Sequence, residues 1–122
     1  MHITSVSGLE ILDSNSNPTL QVTVHLADGT VGVGTVPSGA STGASEAIEI
    51  RDGDERRYRG KGVLRAVQIV NTTVNELLKG MDVTDQRAID EKLITFDGTE
   101  NKSKLGGNVV TGTSIAVVRA AA

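Results

Sequence analysis

The sequence predicts an α+β fold, a three-stranded antiparallel β-meander followed by about three to four α-helices. Two patterns carry that reading. Apolar and polar side chains alternate strictly in the first third of the chain, and apolar residues recur at intervals of three and four in the rest. A third observation sets the frame: 122 residues with no cysteine make one domain of ordinary size, held by an apolar core without disulfides.

The elements follow in order. Ile3 to Leu12 is a candidate first strand, closed by the turn-forming run Asn15-Ser16-Asn17-Pro18. From Leu20 to Leu26 the alternation is complete, with Leu20, Val22, Val24 and Leu26 on one face and Gln21, Thr23 and His25 on the other. That is the pattern of a half-buried antiparallel strand. Asp28-Gly29 then predicts a tight hairpin in which both residues take positive φ, and Thr30 to Val36 resumes the alternation, Val31 and Val33 against glycines.

Val63, Val67, Val70, Val74 and Leu77, with Leu64 and Leu78 alongside, form one apolar stripe of a helix that Gly80 punctuates. Thr84 is the predicted N-cap of a second helix, with Asp85 in its first turn and Ile89, Leu93 and Phe96 turned inward. Asp97-Gly98-Thr99 ends it. A third helix is expected from about Asn108, its N-cap, to the last residue. Between Val109 and Ala122 its only charged side chain is Arg119, so it needs cover on nearly every side. Three strands and two helices offer little such cover, and the expectation is a chain that belongs to a larger protein.

Composition removes several functions. One Tyr, one Phe and no Trp give no platform for stacking bases or sugars. Twelve basic against 15 acidic residues leave a formal charge of −3, against a broadly basic nucleic-acid surface. Without cysteine there is no thiol chemistry, and His2 and His25 stand too far apart to suggest a metal pair. The N-terminus has neither the basic start nor the apolar run of a signal peptide, and no apolar stretch approaches 18 residues, so a cytoplasmic protein without membrane insertion is expected.

Three segments remain as candidate sites. Pro37-Ser38-Gly39-Ala40-Ser41-Thr42-Gly43-Ala44-Ser45 offers many backbone donors and hydroxyl oxygens with little bulk, which suits closure over an anion or ligation of a hard cation, and equally suits a plain linker. No Lys follows its second Gly, so it is not a Walker A loop. Arg51 to Lys61 mixes acids and bases; it lacks the Gly and terminal Glu of a calcium loop and reads as a mutually paired surface loop, with phosphate recruitment by Arg56, Arg57, Arg59 and Lys61 as the sharper alternative. Asp97 to Asn108 is polar and glycine-rich and reads as a connection.

Taken together these strings resemble the enolase (phosphopyruvate hydratase) family. Glu10-Ile11-Leu12-Asp13-Ser14 followed by Asn17-Pro18-Thr19 resembles its first strand and turn, and Val36 to Gly43 resembles its active-site loop. Arg51-Asp52-Gly53-Asp54, Gly60-Lys61-Gly62-Val63, Asp82 to Gln86 and Asp97 to Gly106 follow in the family's order. The resemblance covers essentially all of residues 1–122 and corresponds to the N-terminal capping domain alone, without the C-terminal α/β barrel.

What the resemblance implies is specific. An enolase dehydrates 2-phosphoglycerate to phosphoenolpyruvate in glycolysis with Mg²⁺. By the same resemblance Ser38, Gly39, Ala40, Ser41, Thr42 and Gly43 form the lid over substrate, and Ser41 is a ligand of the second Mg²⁺. The catalytic base, the catalytic acid and the carboxylates of the first Mg²⁺ belong to the barrel, so this segment alone is expected to be inactive and to bind Mg²⁺ weakly or not at all. The rival reading is a free-standing, noncatalytic interaction module derived from the same domain. The sequence also departs from the family. Asn15-Ser16 stands where Arg-Gly is usual, Leu9 where strand one carries a base, and Gln21 where strand two carries an acid. The family's dimer uses those two charges, so a weakened or altered dimer is expected.

Overall fold

The strict alternation of Leu20–Leu26 becomes the middle strand of a three-stranded antiparallel sheet. The computed structural model describes residues 1–14, 16–36, 50–60, 62–98 and 105–122. Strands β1 (Ile3–Leu12), β2 (Pro18–Leu26) and β3 (Val31–Thr35) lie in that order as a meander. Register sets the two faces. Val6 pairs with Val24 and Gly8 with Val22, while Val22 faces Gly34 and Val24 faces Gly32 across the other ladder. Side chains alternate across a strand, so these rows share one face, and Val6, Leu20, Val22, Val24 and Leu26 are buried there under the helices. The opposite face carries Ser7, Thr23 and Val33 in one row and Leu9, Gln21 and Thr35 in the next.

The β2–β3 turn differs from the expected one. Only Gly29 has positive φ, at 91°. The Gly29 amide donates to Leu26 O at 3.0 Å, and Leu26 N to Thr30 O at 2.9 Å, which is a three-residue loop with glycine in the bulge position. Asp28 contributes through its side chain instead, its Oδ1 accepting from Thr30 N at 2.9 Å.

Three helical rods follow, as expected. The first joins α1 (Leu64–Ile69), a π-helical turn (Val70–Val74) and α2 (Asn75–Leu78) without leaving helical backbone. Ala66, Val70, Val74 and Leu78 form its buried stripe. Its π turn serves the sheet edge. Asn75 Oδ1 accepts from Val6 N and Asn71 Oδ1 from Gly8 N, each at 2.8 Å, so two amides of β1 are satisfied by side chains instead of a fourth strand.

Helix α3 (Gln86–Asp97) is capped by Asp85, whose carboxylate accepts from Ala88 N at 3.2 Å. Thr84, the expected cap, instead donates its backbone and hydroxyl protons to Asp82. Ile89 and Leu93 are buried as expected, but Phe96 is 37% exposed and edges a groove of about 460 Å³ between the end of α2 and α3. Gly98 closes α3 in the left-handed region at φ 65°.

Helix α4 (Gly107–Ala121) lies across the buried face against β2 and β3, and it finds more cover than its sequence suggests. Backbone contact replaces side-chain cover. A Cβ on Gly32 would fall 2.4 Å from Ala116 O and Ala120 N, and one on Gly34 would fall 2.5 Å from Gly112 O. Val109, Ala116, Val117 and Ala120 are buried, leaving Val118 as the exposed large apolar side chain of the helix. Among the described residues no helix is long and apolar enough to cross a membrane.

Candidate functional site

The chain leaves the sheet at Val36 and returns at Ile50, and each of these stems has its own anchor. Val36 N donates to Leu20 O at 3.0 Å, extending the β2–β3 ladder. The buried Thr19 hydroxyl donates to Val36 O at 2.8 Å, and the Val36 side chain rests against Gly112 of α4, where a Cβ would come within 3.1 Å. At the other stem, Ile50 N donates to Asn108 Oδ1 at 3.0 Å and Asn108 Nδ2 donates to Ile50 O at 3.1 Å. One side-chain amide thus satisfies both main-chain groups of Ile50, as a neighbouring strand would. Arg51 continues the anchoring by donating to Pro18 O at 2.7 Å. Pro18 and Thr19, part of the Asn17-Pro18-Thr19 string, therefore hold the two stems from one end of β2.

Beyond Arg51 a polar latch ties this region to β1. Glu10 carries a side chain only 11% exposed, and it accepts two hydrogen bonds from the Arg57 guanidinium, one of them at 2.8 Å, and another from Val63 N at 2.8 Å. Asp52 accepts from Leu64 N at 2.9 Å and Arg65 N at 2.8 Å, and lies 3.8 Å from Arg57. The two carboxylates thereby satisfy the first amides of α1, which helix geometry leaves without intrahelical partners. Arg57 holds the Glu10 carboxyl below the usual carboxylate range, with the Val63 amide acting in the same direction against the opposing effect of burial. The same contact keeps the Arg57 guanidinium more firmly protonated.

This arrangement bears on the two readings of Arg51–Lys61 at Arg57. The anion position at the start of α1 is filled by the protein's own carboxylates, and Arg57 is committed to Glu10 and Asp52 while its guanidinium stacks 4.8 Å from the Tyr58 ring centre. The Arg59 side chain and Lys61 lie outside the described residues; of the rest, Arg56 pairs with Asp54, and Arg57 with Asp52 in a close mutual contact. Gly62 makes it possible, since a Cβ there would meet Arg57 Nη1 at 2.6 Å and Asp52 Oδ2 at 2.7 Å.

Ser38, Gly39, Ala40, Ser41, Thr42 and Gly43 lie outside the described residues. Among the described residues no group of three or more His, Asp or Glu side chains gathers to hold a metal ion. Of the two positions where the sequence departs from the family pattern in charge, Leu9 and Gln21 turn out to be direct partners across the β1–β2 ladder. Leu9 is 57% exposed and Gln21 Nε2 donates to Thr35 Oγ1 at 3.4 Å. The sequence signals missed two residues: Asn108, which reads as an ordinary cap, and Glu10, which reads as one residue of a strand. Their partners lie 58 and 47 positions away, and no local pattern announces contacts at that range.

A meander backed by three helical rods, with Val36 anchored on β2 and Ile50 on α4, defines a small α+β domain. The family model described as Enolase, N-terminal domain matches residues 3–122. The chain belongs to that family.

Proposed function

We propose that the domain caps the α/β barrel of an enolase, which dehydrates 2-phosphoglycerate to phosphoenolpyruvate in glycolysis, with residues 38–43 as the lid over substrate. The observation that carries this reading is the family match along residues 3–122, supported by the anchoring of Val36 and Ile50 on either side of that segment. Mg²⁺, when bound, would stabilise the negative charge that develops on the substrate carboxylate as the neighbouring proton leaves. Ser41 would contribute hydroxyl and carbonyl oxygens, the hard neutral donors that Mg²⁺ accepts. The charged ligands, the base and the acid would come from the barrel. The part left to this domain is to position Ser41 and exclude water around the reacting carbon.

Phosphoenolpyruvate formation from 2-phosphoglycerate tests the reading. Joined to an enolase barrel, the domain should support Mg²⁺-dependent turnover, and Ser41→Ala should lower kcat by about 10²-fold, the scale typical for losing one group that stabilises the transition state. Residues 1–122 alone, free of host enolase, should form none. Turnover by the domain alone, or full activity of the Ser41→Ala form, would overturn the assignment.

The same reading includes a weakened or altered dimer. Leu9 and Gln21 meet across the β1–β2 ladder with no charge to offer a partner subunit. A barrel-containing form should dissociate at higher concentration than its Leu9→Arg, Gln21→Glu double variant in sedimentation. A tight, salt-insensitive dimer of the unmodified protein contradicts this.

A further inference from the structure

We propose that Asn108 is a positioning residue, which seats the returning stem of the 37–49 segment on α4 at a fixed distance from the departing one. The idea rests on the reading of that segment as the lid, but its structural half stands without it. Asn108 is 3% exposed and sits in the second position of α4, after the cap Gly106. A helix needs no polar side chain there, and a buried amide is costly unless its donors and acceptor are engaged. Oδ1 accepts from both Ile50 N and Val109 N, and Nδ2 donates to Ile50 O. Most of its hydrogen-bonding capacity is directed at one residue, Ile50.

The surrounding backbone is shaped for the same contact. Gly106 holds φ at 97°, and a Cβ on it would strike Ile50 Cγ1 at 2.7 Å and Asn108 Oδ1 at 2.9 Å. One helical turn beyond Asn108, Gly112 receives the side chain of Val36. Both stems therefore rest on one face of α4, separated by four residues or about 6 Å along the helix axis. A rigid helix that holds Val36 and Ile50 fixes the separation of the two stems, and reacting groups tolerate little misplacement.

Two substitutions separate this role from simple helix capping. Asn108→Asp keeps an acceptor in the first turn, where negative charge is favourable, but sets a carboxylate oxygen against Ile50 O. Asn108→Ala removes both interactions. Amide hydrogen exchange followed by NMR is the readout, with Val24 in the core strand as the reference for global opening. In the unmodified chain the Ile50 amide should exchange within about tenfold of Val24, and in each variant it should exchange about tenfold or more faster relative to Val24, the scale of one lost hydrogen bond. An Ile50 amide that already exchanges freely in the unmodified chain overturns the proposal. So does a variant in which Ile50 and Val24 speed up together, or one in which Ile50 does not change. If one variant does not fold, the other and the unmodified chain still decide.

A second arm separates this inference from the enolase reading. Joined to an enolase barrel, Asn108→Ala should lower kcat for 2-phosphoglycerate about tenfold with KM changed less than about twofold. Absence of turnover in the unmodified fusion counts against the enolase reading alone. Turnover that Asn108→Ala leaves unchanged counts against the positioning role alone.

Discussion

The two halves of the sheet hold their helices by opposite means. On the β2–β3 side, α4 reaches the strands because side chains are missing: Gly32 and Gly34 bring the strand main chain up to the helix main chain at Gly112, Ala116 and Ala120, and Gly112 makes room for Val22 and Val36. On the β1 side the first helical rod is held by polar side chains, Asn71 and Asn75 on the strand amides and the Glu10–Arg57–Asp52 latch at the rod's start. The first attachment is steric and gains from dispersion at close range. The second is electrostatic and depends on pH and on every partner remaining in place. One sheet is thus covered by two unrelated solutions, and each fails in its own way.

The steric side should show the largest effects. In Gly34→Ala the new methyl would fall 2.5 Å from Gly112 O and 2.6 Å from Ala116 N, and backbone cannot swing aside as a side-chain end can. We expect a loss of about 2–3 kcal/mol in urea unfolding, the upper range for overpacking a core. A loss below about 0.5 kcal/mol would show that α4 shifts freely and would dissolve the contrast.

Next in size is the latch. Glu10→Gln removes the charge that Arg57 faces and weakens the acceptor of Val63 N, and we expect a loss of about 1–2 kcal/mol near neutral pH, tempered by the partial exposure of Arg57. The pH dependence has a definite sign. The Glu10 pKa is depressed in the folded chain relative to an ordinary value of 4.5, so its stabilisation is complete above that value. It disappears as pH falls through the depressed folded value. The stability gap between the unmodified chain and Glu10→Gln should accordingly be flat above about pH 5.5 and close below it. A gap that widens on acidification contradicts the latch, whereas Gly34→Ala should show no such trend.

The comparison also explains what could be read in the sequence. Strand period and helix period are local, so Leu20–Leu26 and a helix with Val70 and Val74 inward were visible residue by residue. Ala66 and Leu78 complete the buried stripe where the period pointed to Val67 and Leu77, which are only partly buried. The alternation of Val31 and Val33 with glycines announced a strand, but not that those glycines face a helix backbone 80 residues later. Because that contact cannot be seen in the sequence, α4 reads as having less cover than it has, with Val118 still exposed. Phe96 followed the helical period and still lies at the surface, because period assigns a face without saying how far the neighbouring helix extends over it. Of the site, the 38–43 segment was legible only through resemblance, and its amino acids alone fit a linker equally well. The stems were not legible, since Asn108 and Ile50 are 58 residues apart in sequence.

The smallest expected effect lies in neither attachment but in the turn between β1 and β2, and its sign is opposite to the others. Ser16 takes φ 61°, a left-handed conformation that costs an L-residue with a side chain about 1–2 kcal/mol. The family's usual glycine at this position adopts it without that penalty. Glycine also gains about 0.5–1 kcal/mol of backbone freedom in the unfolded chain, which offsets part of the benefit. Ser16→Gly should therefore stabilise the chain by about 0.5 kcal/mol in denaturant unfolding, independently of pH. The Ser16 amide donates to Asp13 O at 2.9 Å through the backbone, a bond that glycine retains. Equal or lower stability in Ser16→Gly would mean that the serine side chain compensates the strain, and that the departure from the family's glycine carries no energetic cost here.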